Sequence, residues 1–259
     1  MNLIETITEN LRPAAAVLRD RFDVNARPAD GAAIVDAIYA NDDAVLAVLK
    51  EPLLAARPGA GWVEDELEGG ELPPGEWWVV DPVEGNINAI HGMPEWGISV
   101  TLVRDNEPVL TVVHLPLTGQ TYTAIAGEGA YLDGQRLTVS AKTDLGAALV
   151  ATGQAKPGET EETFRLIGRS VTAMLIGALI VRVSVPATLP LIQVAAGHLD
   201  AFWQYSDVRS GLLAGALLVR EAGGTVTDLA GKPWSLTSTD FIASAPGVHQ
   251  AALDVLAAS

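Results

Sequence analysis

The sequence predicts a layered α+β fold, and three observations carry that reading. Helical spacing runs through residues 2–22 and 30–50. Short apolar stretches separated by turn residues follow, up to residue 140. Beyond residue 145 helical and strand patterns alternate. Helices, then an antiparallel sheet, then mixed α and β elements describe layered α+β halves. We expect one domain over 1–259, with an N-terminal half over 1–144 and a C-terminal half over 145–259.

Each element has a local reason. Leu3, Ile4, Ile7, Leu11, Ala15 and Leu18 recur at the spacing that places apolar side chains on one helical face. The second helix is expected to end before Glu51-Pro52, because proline lacks the N–H a helix interior uses. "PGAG" (58–61) reads as a turn, and "EWWVVDP" (76–82) as a short apolar strand ending at Asp81-Pro82. Residues 97–140 read as a run of strands, with Asp105-Asn106, Thr118-Gly119 and Asp133-Gly134 supplying the turns. "AGEGAYLDG" (126–134) belongs to that run as a hairpin turn, not a nucleotide loop. Later helices are expected at 159–178, 187–197 and 208–222. Strands are expected at 148–152, 181–185, 200–203, 225–228 and 241–243. "VTAMLIGALIVRVSV" (171–185) is too short to span a bilayer and contains Arg182, so it predicts a buried helix leading into a buried strand.

Composition narrows the function. The chain has 259 residues, 49% of them hydrophobic, which is ample for a large core. Its 32 acids against 16 bases give a net charge of −16, a surface that repels nucleic acid and anionic membrane. Neither nucleic acid nor membrane is therefore an expected partner. With no cysteine, disulfides, zinc–thiolate sites and thiol nucleophiles are excluded. "MNLIETITENLRP" has no basic leader character, and a cytoplasmic location is expected.

Three acidic clusters stand out: Glu64-Asp65-Glu66, Asp81 with Glu84, and Asp200 with Asp207. Hard cations such as Mg²⁺ bind carboxylate and carbonyl oxygens, so converging acidic segments suit such an ion. Gly85-Asn86 follows the second cluster at an expected helix start, where backbone N–H groups favour an anion. The four histidines have no metal-ligand spacing, and no nucleophile elbow or phosphate loop is present. Trp77, Trp78 and Trp203 flank acidic segments and are candidates for a pocket wall.

At these residues the chain resembles the inositol monophosphatase family of Mg²⁺-dependent phosphatases. "WWVVDPVEGNINAIHGMP" is similar to the family block D-P-[IL]-D-G-T-x-N-F-x-x-G-x-P. "GAYLDGQRLTVS", "AGHLDAFW" and "AGALLVREAGGTVTDLAGKPW" resemble later family segments, over residues 30 to 250 in all. The resemblance implies a five-layered αβαβα sandwich, a homodimer and an Mg²⁺ site. It also assigns roles. Asp65-Glu66 falls on a Glu-Glu ligand pair, Asp81 is retained, the Val83 carbonyl is a ligand, and Glu84 stands for a second Asp. Asn86 replaces a Thr whose hydroxyl positions the attacking water. Gln204 stands where a Glu contacts substrate, and Pro186 in "VPAT" replaces a hydroxyl residue. Gapless alignment puts Gly211 at the last ligand Asp, with Asp207 the nearest acid.

These departures bear on the metal. Asp for Glu withdraws an oxygen by about 1.5 Å, whereas metal–oxygen distances vary by only about 0.3 Å. Two-metal catalysis needs both ions fixed, so Mg²⁺ binding is expected to be weakened. The leading expectation is an enzyme repurposed from phosphate-ester hydrolysis toward other chemistry on a small polar metabolite. Asp65, Glu66, Asp81, Glu84 and Asn86 form its catalytic set. Gly85, Asn86, Gln204, Asp207 and Gly211 form its substrate-binding set. One alternative is an Mg²⁺-dependent phosphatase of a sugar- or inositol-like phosphate, with Asp65, Asp81, Val83 and Glu84 holding the ion. The other is a catalytically inactive binding or regulatory protein.

Overall fold

The computed structural model describes residues 2–65 and 67–259, so the candidate Glu66 lies outside the described residues. The chain opens with two helices packed on each other, α1 (Leu3–Arg21) and α2 (Gly31–Ala56). Asn2 starts α1 with a capping box: its side chain accepts from Glu5 N, and the Glu5 carboxylate accepts from Asn2 N, both at 2.9 Å. Helix α2 runs past the stop expected at Glu51-Pro52 and keeps Pro52 inside it. An interior proline costs roughly 3 kcal/mol. Leu49 and Leu53 are fully buried on the sheet, and each contributes roughly 1.5–3 kcal/mol, which offsets the break.

A seven-stranded sheet follows, with strands in chain order: β1 (Gly61–Trp62) and β2 (Glu76–Glu84), the one-turn helix α3 (Asn86–Ala89), then β3 (Gly97–Arg104), β4 (Glu107–Leu115), β5 (Gln120–Ile125), β6 (Gly129–Leu132) and β7 (Gln135–Arg136). All neighbours pair antiparallel except β1 with β2. The expected turns are present. Asp105 and Asn106 both have positive φ, at 48° and 70°, and Asp133-Gly134 repeats the pattern at 49° and 80°, the signature of tight hairpins whose twist matches their strands. Strand β2 does not end at Asp81-Pro82 as expected. It continues to Glu84 through a register shift that leaves one extra residue, with Asp81 opposite Ser99 and Glu84 opposite Gly97. Proline offers no ladder N–H, and a bulge is where a strand accommodates it.

The C-terminal half supplies β8 (Leu149–Thr152), α4 (Glu161–Gly177), β9 (Ile180–Val183), α5 (Thr188–Ala195), β10 (Ala201–Gln204), α6 (Ser210–Glu221), β11 (Thr225–Thr227), β12 (Phe241–Ser244) and α7 (Pro246–Ala257). The second sheet has the order β11-β12-β10-β8-β9. Helices α1 and α2 cover the large sheet, α5 and α6 lie between the sheets, and α4 and α7 cover the small one, making the five layers. Helix α7 had no counterpart in the sequence reading.

Two further expectations fail. Residues 171–185 are buried on one face only: Met174 is fully buried, but Leu175, Ile176, Leu179, Ile180 and Val183 are exposed, because α4 lies outermost and β9 is an edge strand. Trp78 and Trp203 are wholly buried in separate cores instead of lining a pocket. Among the described residues no helix is long and apolar enough to cross a membrane.

Candidate active site

The end of β2 builds the centre of the site. Asp81 Oδ1 accepts from Val83 N at 3.0 Å, which stiffens the bulge. Gly85 then adopts φ +76°, and a Cβ there would stand 2.7 Å from both Glu95 O and Pro186 Cδ. Only glycine suits that turn. It delivers Asn86 as the first residue of α3, the helix start read from the sequence.

Glu84 is 1% exposed. Its Oε1 accepts from Ser99 Oγ at 2.8 Å and from Thr188 Oγ1 at 2.7 Å. Thr188 Oγ1 also lies 3.0 Å from Gly211 O. Thr188 is the first residue of α5 and Gly211 the second of α6, so the positive ends of two helices face this carboxylate and favour negative charge there. Gly211 has no positive φ, and a Cβ on it would lie 3.6 Å from Thr188 Oγ1 and Ala187 Cβ and 3.9 Å from Glu84 Oε2. The side-chain direction at position 211 thus points toward Glu84.

Asn86 is tied to α2. Its Nδ2 donates to Asp42 Oδ1 at 2.8 Å and Ile38 O at 3.0 Å, while its Oδ1 accepts from Asn41 Nδ2 at 2.9 Å. An amide both donates and accepts, so Asn86 makes a bridge that a hydroxyl of one proton could not make in full.

The remaining candidates are more scattered. Asp65 is exposed and its Oδ1 accepts from Leu67 N at 3.0 Å. Glu64 is drawn off by Lys50 at 2.8 Å. Asp207 is exposed, and its backbone rests on Gly69, where a Cβ would meet Asp207 O. Gln204 is buried at the end of β10. Asp200, expected to join the acidic convergence, does not: it is buried against Lys142 Nζ at 2.8 Å and Leu149 N at 2.7 Å. Its role is to pin β10 beside β8. Among the described residues no three His, Asp or Glu side chains stand together as a metal cage.

Arg209, one residue before α6, ties the acidic loop to the site. Its Nη2 donates to Gly69 O at 2.7 Å and Gly70 O at 3.0 Å, and it is 4% exposed. Burial lowers its pKa, while Glu68 and Asp65 oppose that shift. The sequence reading missed Arg209, Asp42, Asn41, Ser99 and Thr188. Ser99 and Thr188 carry a usable signal, as hydroxyls within otherwise apolar runs. Asp42 and Asn41 sit in "ANDDAV", whose polar residues read as a solvated helix face.

Two carboxylates on a bulged strand of a two-sheet sandwich, one of them facing helix starts from the other half, define the class of fold and site. The chain belongs to the inositol monophosphatase family, whose model matches residues 2–258. It is 36% identical over 211 residues to an inositol-1-monophosphatase of Rhizobium meliloti, covering 81% of this chain and 78% of that one. It is also 36% identical over 174 residues to the Nus factor SuhB of Pseudomonas aeruginosa, covering 66% and 62%. The solved structure of the Thermotoga maritima IMPase superposes with a TM-score of 0.80 at 26% identity, covering 100% of this chain and 98% of that one.

Proposed function

We propose that this chain is an enzyme of the inositol monophosphatase family whose pocket has moved from ordinary metal-assisted phosphate-ester hydrolysis to acid–base chemistry on a small polar metabolite. The observation that carries this reading is the Glu84–Thr188–Gly211 arrangement. The Thr188 hydroxyl has one proton and two acceptors. It donates to an ionised Glu84, or it accepts from a protonated Glu84 and donates to the Gly211 carbonyl. The pocket therefore accommodates both protonation states of Glu84, which a general acid–base group requires. Asn86, whose amide is spent on Asn41, Asp42 and the Ile38 carbonyl, braces the start of α3 against α2 and so fixes the backbone beside Glu84. Gly85 and Gln204 complete the substrate side.

The donor chemistry also fits a hard cation, with Asp81, Glu84 and the Val83 carbonyl as oxygen ligands; Asp65 would have to swing in from its exposed loop to join them. Bound there, Mg²⁺ would supply Lewis-acid polarisation of a phosphoryl oxygen. Gly211 supplies no side-chain ligand, so the binding is weak. This supports a second reading, an Mg²⁺-dependent phosphatase with altered ligands, and the inositol-1-monophosphatase relatives favour it.

One assay separates the readings: phosphate release from inositol and sugar phosphates, with and without Mg²⁺, for the wild type and Asp81→Asn. Repurposing predicts release far below that of an inositol-1-monophosphatase relative run alongside. Comparable Mg²⁺-dependent rates that Asp81→Asn abolishes establish the second reading instead. Saturable binding of metabolites without turnover supports a regulatory protein. We further propose a homodimer, joined through the exposed strip Leu175, Ile176, Leu179, Ile180 and Val183; apolar strips of this kind mark interaction sites.

A further inference from the structure

A cavity of about 320 Å³ opens between the last turn of α1, the segment after it, α2 and α3. One wall is apolar, with Leu18, Phe22, Ile90 and Trp96, and the Phe22 and Trp96 rings are 5.4 Å apart. The opposite wall carries Arg21, Arg27, Asn41 and Asp23. In a chain with twice as many acids as bases, neither arginine forms an ion pair among the described residues. Arg27 Nη1 donates to His91 O at 2.9 Å and Val24 O at 3.2 Å, which holds its guanidinium at the cavity. Arg21 donates through Nε to Asn41 Oδ1 at 2.7 Å, and among the described residues its two terminal nitrogens have no partner. Asp23 turns an oxygen back onto Asn25 N at 2.8 Å. The three charged side chains leave the lining one positive charge in excess.

The polar wall is continuous with the active site. Arg21 donates to Asn41, Asn41 donates to Asn86 at 2.9 Å, and Asn86 donates to Asp42 at 2.8 Å. Every link runs in one direction, so a ligand that draws Arg21 away removes the acceptor-side anchor of Asn41.

We propose that this cavity binds a small organic oxyanion, a carboxylate or phosphonate carrying an aryl or short alkyl group, and that its occupancy reaches Asn86 through Asn41. The guanidiniums supply charge-assisted hydrogen bonds to the oxyanion. Phe22 and Trp96 cover its apolar part, and the volume suits a compact ligand. Coupling between the two sites is reciprocal. The inference does not depend on which reaction the active site performs, because binding is read directly.

The test is calorimetric titration of the intact protein with benzoate and, separately, with phenylphosphonate, followed by amide NMR of the Asn side chains. Saturable binding is expected for at least one probe, and which one binds distinguishes a carboxylate site from a phosphonate site. Arg21→Gln and the cavity-filling Ala37→Leu should each weaken binding by about tenfold or more, while Asp81→Asn does not abolish it. Melting curves confirm that each variant is folded. Saturation should shift the Asn86 side-chain amide in the wild type but not in Asn41→Ala. The cavity site is overturned by the absence of saturable binding at millimolar probe, by binding that survives both cavity variants, or by binding that Asp81→Asn abolishes. An Asn86 signal that stays still at saturation overturns the coupling.

Discussion

Replacing Gly211 by Asp would place a carboxylate opposite Glu84. The backbone accepts the side chain, since the nearest atoms to the new Cβ lie at 3.6 Å and Glu84 Oε2 at 3.9 Å. Two carboxylates about 4 Å apart repel by about 4 kcal/mol at an effective dielectric near 20. Part of that is returned, because an acid in the first turn of α6 gains about 0.5–1 kcal/mol from the helix dipole. Removing a helical glycine adds about 0.5 kcal/mol more. The net expectation is a loss of about 2.5–3 kcal/mol in chelator, a melting temperature roughly 5–12 °C lower for a chain of this size. A divalent cation between the carboxylates removes the repulsion, so millimolar Mg²⁺ should restore most of the loss. Thermal melts at pH 8 in EDTA and in MgCl₂, with Gly211→Asn as the uncharged control, measure this. If the Asp and Asn variants melt together in EDTA and neither responds to Mg²⁺, position 211 does not face Glu84. Adding Glu84→Asp and Asn86→Thr should then raise Mg²⁺ affinity further, yield measurable phosphate release and damage the native activity.

Thr188→Val leaves the Gly211 carbonyl and one lobe of Glu84 without their hydroxyl, and should cost about 1–3 kcal/mol in urea unfolding; an unchanged midpoint would contradict that bridge. Glu76 accepts from Arg57 Nη2 and Arg104 Nε, both at 2.8 Å. The Arg57 hydrogen bond, opposed by burial and aided by Arg104, holds its carboxyl at about 2 against an ordinary 4.5. Its folded pKa is the lower one, so its contribution is present above pH 4.5 and lost as pH falls through 2. Because both arginines are about half exposed, solvent screening limits the contribution to about 1 kcal/mol, and the stabilities of wild type and Glu76→Gln should converge over that window. Ile176→Glu should convert the proposed dimer to a monomer by light scattering; a monomeric wild type would remove the proposal.

Much of the fold was legible because it rests on local rules. Paired turn residues at 105–106 and 133–134 fixed the meander, and the apolar spacing of Ile7, Leu11 and Leu18 fixed α1. Where the reading failed, tertiary burial overrode a local signal. Pro52 marks a helix end only if nothing beyond it is buried, and Leu53 is. In 171–185, apolar content says nothing about which layer lies outermost. The site was legible where it is contiguous, from Asp81 to Asn86. Its partners Asp42, Ser99 and Thr188 come from three separate elements, and no spacing in one chain reveals who will face whom. Asp200 and Asp207 show the converse, since both are acids near the motif yet one serves β10 and the other faces solvent.

The chain-order sheet has a consequence for how the protein is made. Each strand from β2 to β7 pairs with the one synthesised just before it, so this meander closes short loops and needs nothing from the C-terminal half to find its register. Glu84 and Asn86 are therefore placed early, but Thr188 and Gly211 reach Glu84 only when α5 and α6 dock between the sheets. Domain-sized units emerging from a ribosome fold in that order. Burial of Glu84 beneath Thr188 and Gly211 should then lag the appearance of sheet structure during refolding, and the lag would time the docking of the second half onto the first.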